Sequence, residues 1–271
     1  MALPGLQQIK LSNNLLLRNK NTLFIGKVVL SFAELPSTNA YAQELLAKSK
    51  PIEGTVISAA AQTQGRGQIG SKWESPAGQS LSLSVVLYPH FLTAQQQFSL
   101  NIMTALALRD ALAPYARSVV EVKWPNDVFL GGNKVAGILI QNQLAGSRVQ
   151  HSIIGTGVNV NQPGFPEGLP LATSLSLDTG TEHDPERLAS DYLLALEQRY
   201  LQLRAGQQSR LIRDYYQHLI GYQSPRQYAL PDGKVITAEI AGVDKSGKLL
   251  LRREGKLEAF GLKALRLLPE S

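Results

Sequence analysis

The sequence predicts an α+β protein: a mixed, largely antiparallel sheet with helices, followed by a small β-barrel. Three observations predict it. Strand-like segments follow one another with hairpin signals between them, the strongest being Gly131-Gly132-Asn133. Helical segments do not alternate with every strand, which argues against a doubly wound sheet. Beyond Gly221, turn residues recur roughly every ten positions, at Pro231-Asp232-Gly233, Asp244-Lys245-Ser246-Gly247 and Arg253-Glu254-Gly255, the spacing of short strands in a barrel of about 50 residues.

Taken in order, residues 1–21 are polar and aperiodic and read as a flexible leader. Residues 23–32, rich in Phe, Ile and Val, form a strand. Pro36-Ser37-Thr38-Asn39 supplies turn and cap chemistry for a helix over 40–47. A strand over 55–61 precedes an open loop over 62–79. Leu81, Leu83, Val85 and Leu87 alternate with Ser82, Ser84 and Val86, a strand with one buried face. The stripe Phe98, Ile102, Ala105, Leu106 and Leu112 predicts a helix over 95–113. Strands follow over 119–123, 128–130, 135–141 and 149–160, then a Pro- and Gly-rich loop over 161–170. Helices are expected over 185–203 and 210–220, capped by Asp184 and Ser209. The resulting division is a leader over 1–21, a main domain over 22–221 and the barrel over 222–271.

Composition narrows the function. The 271 residues are 44% hydrophobic and 18% charged, ordinary for a globular chain. Cysteine is absent, which excludes disulfides, thiolate catalysis and Cys-ligated metals. No apolar run is long enough to span a bilayer, and no signal-peptide pattern opens the chain, so a soluble cytoplasmic protein is expected. The net charge of +6, from 27 Lys+Arg against 21 Asp+Glu, is scattered without a basic block. That favours small anions or an acidic partner over nucleic acid.

Four segments carry the chemistry. Gly65-Arg66-Gly67-Gln68-Ile69-Gly70-Ser71-Lys72-Trp73 combines mobile backbone, cations and a flat ring. It reads as a loop closing over an anionic, nucleotide-like species, or as a Gly-rich surface turn. Ser37-Thr38-Asn39 offers hydrogen bonds to a polar head group, or caps a helix, or both. Lys123-Trp124-Pro125-Asn126-Asp127 ends a strand in a turn, where Asp127 suits a hard cation such as Mg²⁺ or a structural Asx bond. Lys134-Val135-Ala136-Gly137-Ile138-Leu139 starts an apolar strand with a point charge for a carboxylate or phosphate, or with a solvated hairpin-edge lysine.

With Gln62 and Gly155-Thr156-Gly157-Val158-Asn159, these segments stand in the order and spacing of biotin protein ligases, and the resemblance covers about residues 22 to 268. It implies a biotin/lipoate ligase catalytic domain of the class II synthetase-like kind, followed by an SH3-like barrel. It implies an enzyme that joins biotin to ATP, with Mg²⁺, as biotinoyl-5′-AMP. Biotin then passes to a lysine of a biotin carboxyl carrier protein. By matching position, Ser37, Thr38, Asn39, Gln62, Arg66, Gly67, Gln68, Lys134 and Gly137 would bind biotin, with Lys134 and Arg66 acting in catalysis. Trp73, Asn126, Asp127, Gly157, Asn159 and Arg266 would serve the nucleotide, and Asp127 the metal. The short leader implies a ligase without a DNA-binding domain, as monomer or sheet-mediated homodimer.

Lipoate ligases share the fold and the central lysine, but their loop resembles Arg-Arg-x-Ser-Gly-Gly-Gly, unlike Gly65-Arg66-Gly67 here. A protein that merely captures biotin has no need of a nucleotide site, and no stacking pattern of aromatic and basic residues supports a nucleic-acid module. The loop departs from the family's Gly-Arg-Gly-Arg-x-Gly-Arg-x-Trp at two places: Gln68 and Ser71 replace arginines, with Lys72 a partial substitute. Two fewer cations should hold the adenylate less tightly. Gln68→Arg is expected to slow release of biotinoyl-AMP in the absence of acceptor; an unchanged off-rate would contradict this.

Overall fold

The computed structural model describes residues 21–67, 73, 77–169, 171–262 and 264–268. The expected leader therefore lies, save Asn21, outside the described residues, as do Gln68, Ser71 and Lys72. The main sheet has seven strands: β1 (Val29–Leu35), β2 (Val56–Gln62), β3 (Ser80–Leu87), β4 (Val120–Lys123), β5 (Asp127–Leu130), β6 (Asn133–Ala145) and β7 (Arg148–Asn159). Their spatial order is β1-β2-β3-β7-β6-β5-β4. β1 and β2 run parallel, joined by α1 (Thr38–Lys48); every other neighbouring pair is antiparallel. Gly131 and Gly132, at φ of 53° and 83°, make the two-residue turn between β5 and β6.

Helices cover both faces. α1 packs on β2, β3 and β7, over an apolar cluster of Leu35, Ala42, Ile57, Ala59, Val86 and Ile153. The opposite face meets α2 (Phe98–Leu112) and α4 (Pro185–Arg204), against which α5 (Gln208–Gln217) packs. Short α3 (Leu175–Thr179) was not anticipated by the periodicity, being only one turn long. The covering explains one difference from expectation. β3 is buried along its whole length rather than on one face, because Leu81, Leu83, Val85 and Leu87 face the main core while Val86 faces the α1 cluster.

Other differences are local. The predicted strand over 23–32 begins only at Val29. The backbone before it is held by Glu197, 3% exposed, whose carboxylate accepts from the N–H groups of Leu23, Phe24 and Ile25, the last two at 2.8 Å. The helix expected from Gln95 is divided into a 3₁₀ turn (Ala94–Gln96) and α2. Asp184 caps α4 as expected, its side chain accepting from Glu186 N–H at 2.9 Å. Ser209 does not cap α5: the helix starts at Gln208 behind Gln207, which makes no side-chain cap bond.

The C-terminal strands β8 (Pro225–Ala229), β9 (Val235–Val243), β10 (Leu249–Arg253), β11 (Lys256–Phe260) and β12 (Arg266–Leu267) form an antiparallel sheet ordered β11-β10-β9-β8-β12. Tyr228, Ile236, Ala238, Ile240, Leu249 and Leu251 belong to the same core as α2 and α4. Two hydrogen bonds fix the join: Trp124 Nε1 donates to Gly247 O at 2.9 Å, and Val243 N to Tyr216 Oη at 2.9 Å.

Glu197→Ala would leave three backbone donors without their carboxylate in a buried place. It is expected to cost about 3 kcal/mol and to lower Tm by roughly 6–12 °C, measured by calorimetry.

Candidate active site

On the α1 face of the sheet, β6 and β7 run side by side with glycines where bulk would be expected. Gly137 and Gly157 are direct partners in the ladder, and Gly155 lies two residues along. A Cβ on Gly157 would stand 2.3 Å from the Trp73 ring, and one on Gly155 would stand 2.3 Å from Asn39 Oδ1. These positions are glycine because the indole and the Asn39 amide occupy the space of a side chain. Trp73 is held there through its backbone: its N–H donates to Gly65 O at 3.0 Å. Its own Nε1 is buried, with no hydrogen-bond partner among the described residues.

The polar end of the site is built at the start of α1. Ser37 is the N-cap, at φ −162° and ψ 134°. Both Thr38 N and Thr38 Oγ1 donate to Gln62 Oε1, at 2.8 and 3.3 Å. This turns the Gln62 carbonyl toward the helix and leaves its NH₂ for another acceptor. Asn39 donates to Leu139 O at 3.1 Å and to Gln141 Oε1 at 3.2 Å. Ser84 Oγ lies 2.8 Å from Thr38 Oγ1 and 2.6 Å from Asn39 Oδ1. The cap reading and the ligand reading of Ser37-Thr38-Asn39 are thus compatible: Asn39 is fully engaged in holding the helix to the sheet, while Ser37, Thr38 and Gln62 line a cavity of about 160 Å³.

The opposite wall of that cavity is charged. Lys134 Nζ lies 2.7 Å from Asp127 Oδ1 and 5.9 Å from the Trp73 ring centroid. Strand alternation alone would place Lys134 and Gly137 on opposite faces. A register shift between Val128 and Phe129 inserts an extra residue into β6, so Asp127 pairs with Gly137 while Phe129 pairs with Lys134. The bulge carries Lys134 onto the ligand face. Its backbone is pinned on both sides, by Lys134 N–H to Leu171 O at 2.6 Å and Thr173 N–H to Lys134 O at 2.9 Å. Asn126, 7% exposed, donates to Ile138 O at 2.6 Å and holds the start of β5 to β6.

A second cavity of about 150 Å³ lies between Trp73, Lys134, Asn159, Gln162 and Phe165. Asn159 Nδ2 donates to Thr173 O at 2.9 Å, and Asn159 Oδ1 accepts from Gln162 Nε2 at 3.0 Å. Trp73 and Lys134 are shared by the two cavities, so a ligand in each would meet at the Lys134 ammonium. Gln162 and Phe165 were missed by sequence reasoning because they fall in what reads as a plain Pro- and Gly-rich loop.

Of the sequence-predicted residues, Ser37, Thr38, Asn39, Gln62, Arg66, Gly67, Trp73, Asn126, Asp127, Lys134, Gly137 and Gly157 come together around the first cavity. Asn159 lines the second. Arg266, on β12, is near enough to Lys123 to depress its pKa. Gln68 lies outside the described residues. Asp127 is the carboxylate of the first cavity, and among the described residues no group of three or more His, Cys, Asp or Glu could hold a metal by itself.

Residues 31–159 match the model of the biotin/lipoate A/B protein ligase family. The chain is 33% identical over 258 residues to the bifunctional ligase/repressor BirA of Bacillus subtilis, covering 89% of this chain and 74% of that protein. It is 34% identical over 229 residues to the biotin–[acetyl-CoA-carboxylase] ligase of Mycobacterium tuberculosis, covering 83% of each. Among solved structures, the biotin protein ligase from Aquifex aeolicus in complex with biotin and ATP superposes with a TM-score of 0.73 at 25% identity, over 90% of this chain and all of that one. With the polar socket, the glycine floor and the Lys134–Asp127 pair in the same order along the sequence, the chain belongs to the biotin protein ligase family.

Proposed function

We infer that this chain is an ATP-dependent ligase that activates biotin as biotinoyl-5′-AMP and transfers it to a lysine of a biotin carboxyl carrier protein. One observation carries the reading: Lys134 stands where two cavities meet, one with a polar socket and one beside an aromatic ring. Biotin would seat its ureido head against Ser37, Thr38 and the Gln62 NH₂, its carboxylate reaching toward Lys134. Arg66 and Gly67 close over it from the loop. The adenine would pack by Trp73, with Gly157 and Asn159 on the sheet side.

A carboxylate and a triphosphate repel, and the cations here offset that repulsion. A biotin carboxylate oxygen attacks the α-phosphorus, the α–β P–O bond breaks, and its electron pair leaves on pyrophosphate. The carrier lysine, as free amine, then attacks the acyl carbon; the C–O bond to AMP breaks and the amine loses its proton to water. Lys134 serves both steps by holding negative charge on the oxygens around the reacting centre.

Mg²⁺ suits this donor set. It keeps several waters and binds through one or two carboxylates plus phosphate oxygens, so Asp127 would suffice as its protein ligand. Bound there, the metal would neutralise phosphate charge. The reading also divides the chain into a catalytic unit over 22–221 and a C-terminal unit over 222–271 that brings Arg266 to the nucleotide. ATP and an unmodified carrier point to work in the cytoplasm.

The direct test is incubation with biotin, Mg·ATP and a carrier domain, read by streptavidin blot, with lipoate in a parallel arm. Biotin-dependent labelling is expected; labelling with lipoate alone would overturn the reading. Lys134→Ala is expected to reduce biotin-dependent pyrophosphate release by at least about 100-fold with Tm little changed. Gly157→Ala forces the Trp73 ring off the sheet and is expected to raise the KM for ATP about tenfold or more; unaltered nucleotide kinetics would contradict the placement of adenine.

A further inference from the structure

Ser84 sits in the middle of β3, fully buried, with Gly155 of β7 as its ladder partner. It does not line the 160 Å³ cavity, yet its hydroxyl reaches two residues that do. It donates to Asn39 Oδ1 at 2.6 Å and to Thr38 Oγ1 at 2.8 Å. Backbone partners fix which end of each amide is which. Asn39 gives its NH₂ to the Leu139 carbonyl, so its other end is the acceptor that faces Ser84. Gln62 takes the Thr38 N–H at 2.8 Å, so the end facing α1 is its carbonyl oxygen. The Thr38 hydroxyl donates to that same oxygen at 3.3 Å.

These bonds give the socket a polarity. Ser84 and Thr38 have one hydroxyl hydrogen each, and acceptors within the protein take both. Thr38 Oγ1 therefore offers a ligand a lone pair and no proton. Gln62 Oε1 is filled by the two donors of Thr38, so Gln62 offers only its NH₂. Ser37 Oγ accepts from Ala40 N–H at 3.5 Å, which leaves its hydrogen for a ligand oxygen. The cavity thus presents two donors beside one acceptor, a pattern that fits a ring carbonyl flanked by N–H.

We propose that Ser84 is a positioning residue for substrate specificity: by donating into Thr38 Oγ1 it turns the Thr38 hydrogen onto Gln62, and so makes the socket demand an N–H at Thr38, selecting cyclic ureas over cyclic carbamates. The proposal rests on the ligase reading and adds a residue, outside the cavity, that sets what the head-group end accepts. In a carbamate, a ring oxygen replaces the N–H and sets lone pair against lone pair. A socket built to hydrogen-bond a particular N–H rejects the analogue that lacks it. The direction of the Ser84 hydroxyl is itself supported. Gly155 has no Cβ, so the Asn39 amide can approach the sheet, and its NH₂ is tied to Leu139 and Gln141. Without the Ser84 hydroxyl, the Thr38 hydrogen is free to turn toward a ligand oxygen, and the demand relaxes.

The test is pyrophosphate release driven by biotin and by two analogues, in which one or the other ureido N–H is replaced by oxygen. Wild-type protein is expected to prefer biotin over at least one analogue by about 100-fold or more in kcat/KM. Ser84→Ala is expected to raise the KM for biotin about tenfold and to narrow that preference about fivefold or more, with the KM for ATP within about twofold of wild type. Ser84→Thr keeps the hydroxyl and should restore part of the preference. Ser84→Cys keeps the shape with only a weak donor and gives the same readout if Ser84→Ala does not fold. An undiminished preference in the folded variants overturns the proposal. So does wild-type protein that uses both analogues as well as biotin, a result that needs no variant. Absence of release with biotin in the wild-type protein refutes the ligase reading itself, whereas normal release with a fixed preference refutes the role of Ser84 alone.

Discussion

The Lys134 ammonium, 2.7 Å from Asp127 Oδ1, is the contact around which the site is arranged. A charged lysine at the junction of two cavities needs its backbone fixed, its side chain aimed and its charge balanced. The bulge in β6 aims it, the hydrogen bonds to Leu171 and Thr173 fix it, and Asp127 balances it. Each of these comes from a different part of the chain. The Gly131-Gly132 turn sets the register of β5 on β6 and the bulge shifts it by one, and together they bring Asp127 opposite Gly137. A different loop length would move the carboxylate to the wrong face.

The remainder of the site is defined by missing side chains. Three glycines on two adjacent strands leave bare backbone on a face that elsewhere carries Leu139, Ile153 and Ser84. Asn39 fills one of these spaces and the Trp73 ring another. The indole N–H stays buried and unpartnered among the described residues, a cost that persists in a folded protein when a functional arrangement requires it. Ser84 shows the same logic from the other side. Its hydroxyl ties Thr38 and Asn39 to β3, so a residue that reads as solvent-facing is a buried support.

That contrast marks what the sequence could reveal. The motifs were legible because each concentrates unusual chemistry in a short stretch: three small polar residues at a helix start, glycines within a strand, a lysine heading an apolar run. The helix and strand limits of α1, β2, α4 and β7 followed from local periodicity and caps. Failures occurred where tertiary packing overrides the local signal. Serines in β3 suggest a wet face, but the strand is buried throughout, with Ser84 bonded to α1 and Ser80 to Gln162. Ser209 has the right chemistry for a cap yet lies one residue inside α5. The bulge leaves no mark in the sequence, and nothing local shows that Gln162 would reach Asn159.

The segment Lys123-Trp124-Pro125-Asn126-Asp127 shows how one short motif can serve several distant parts at once. Lys123 and Asp127 share the ligand face as ladder partners. Trp124, between them in sequence, sends its indole N–H to Gly247 in the C-terminal sheet, and Asn126 clamps Ile138 on β6. The same five residues therefore hold the carboxylate beside Lys134 and dock the sheet that carries Arg266. Because that sheet shares the main core through Tyr228, Ile236 and Leu251, it cannot swing away freely. Arg266 stays close to Lys123, and the positive charge beside β4 is built into the packing of the two sheets.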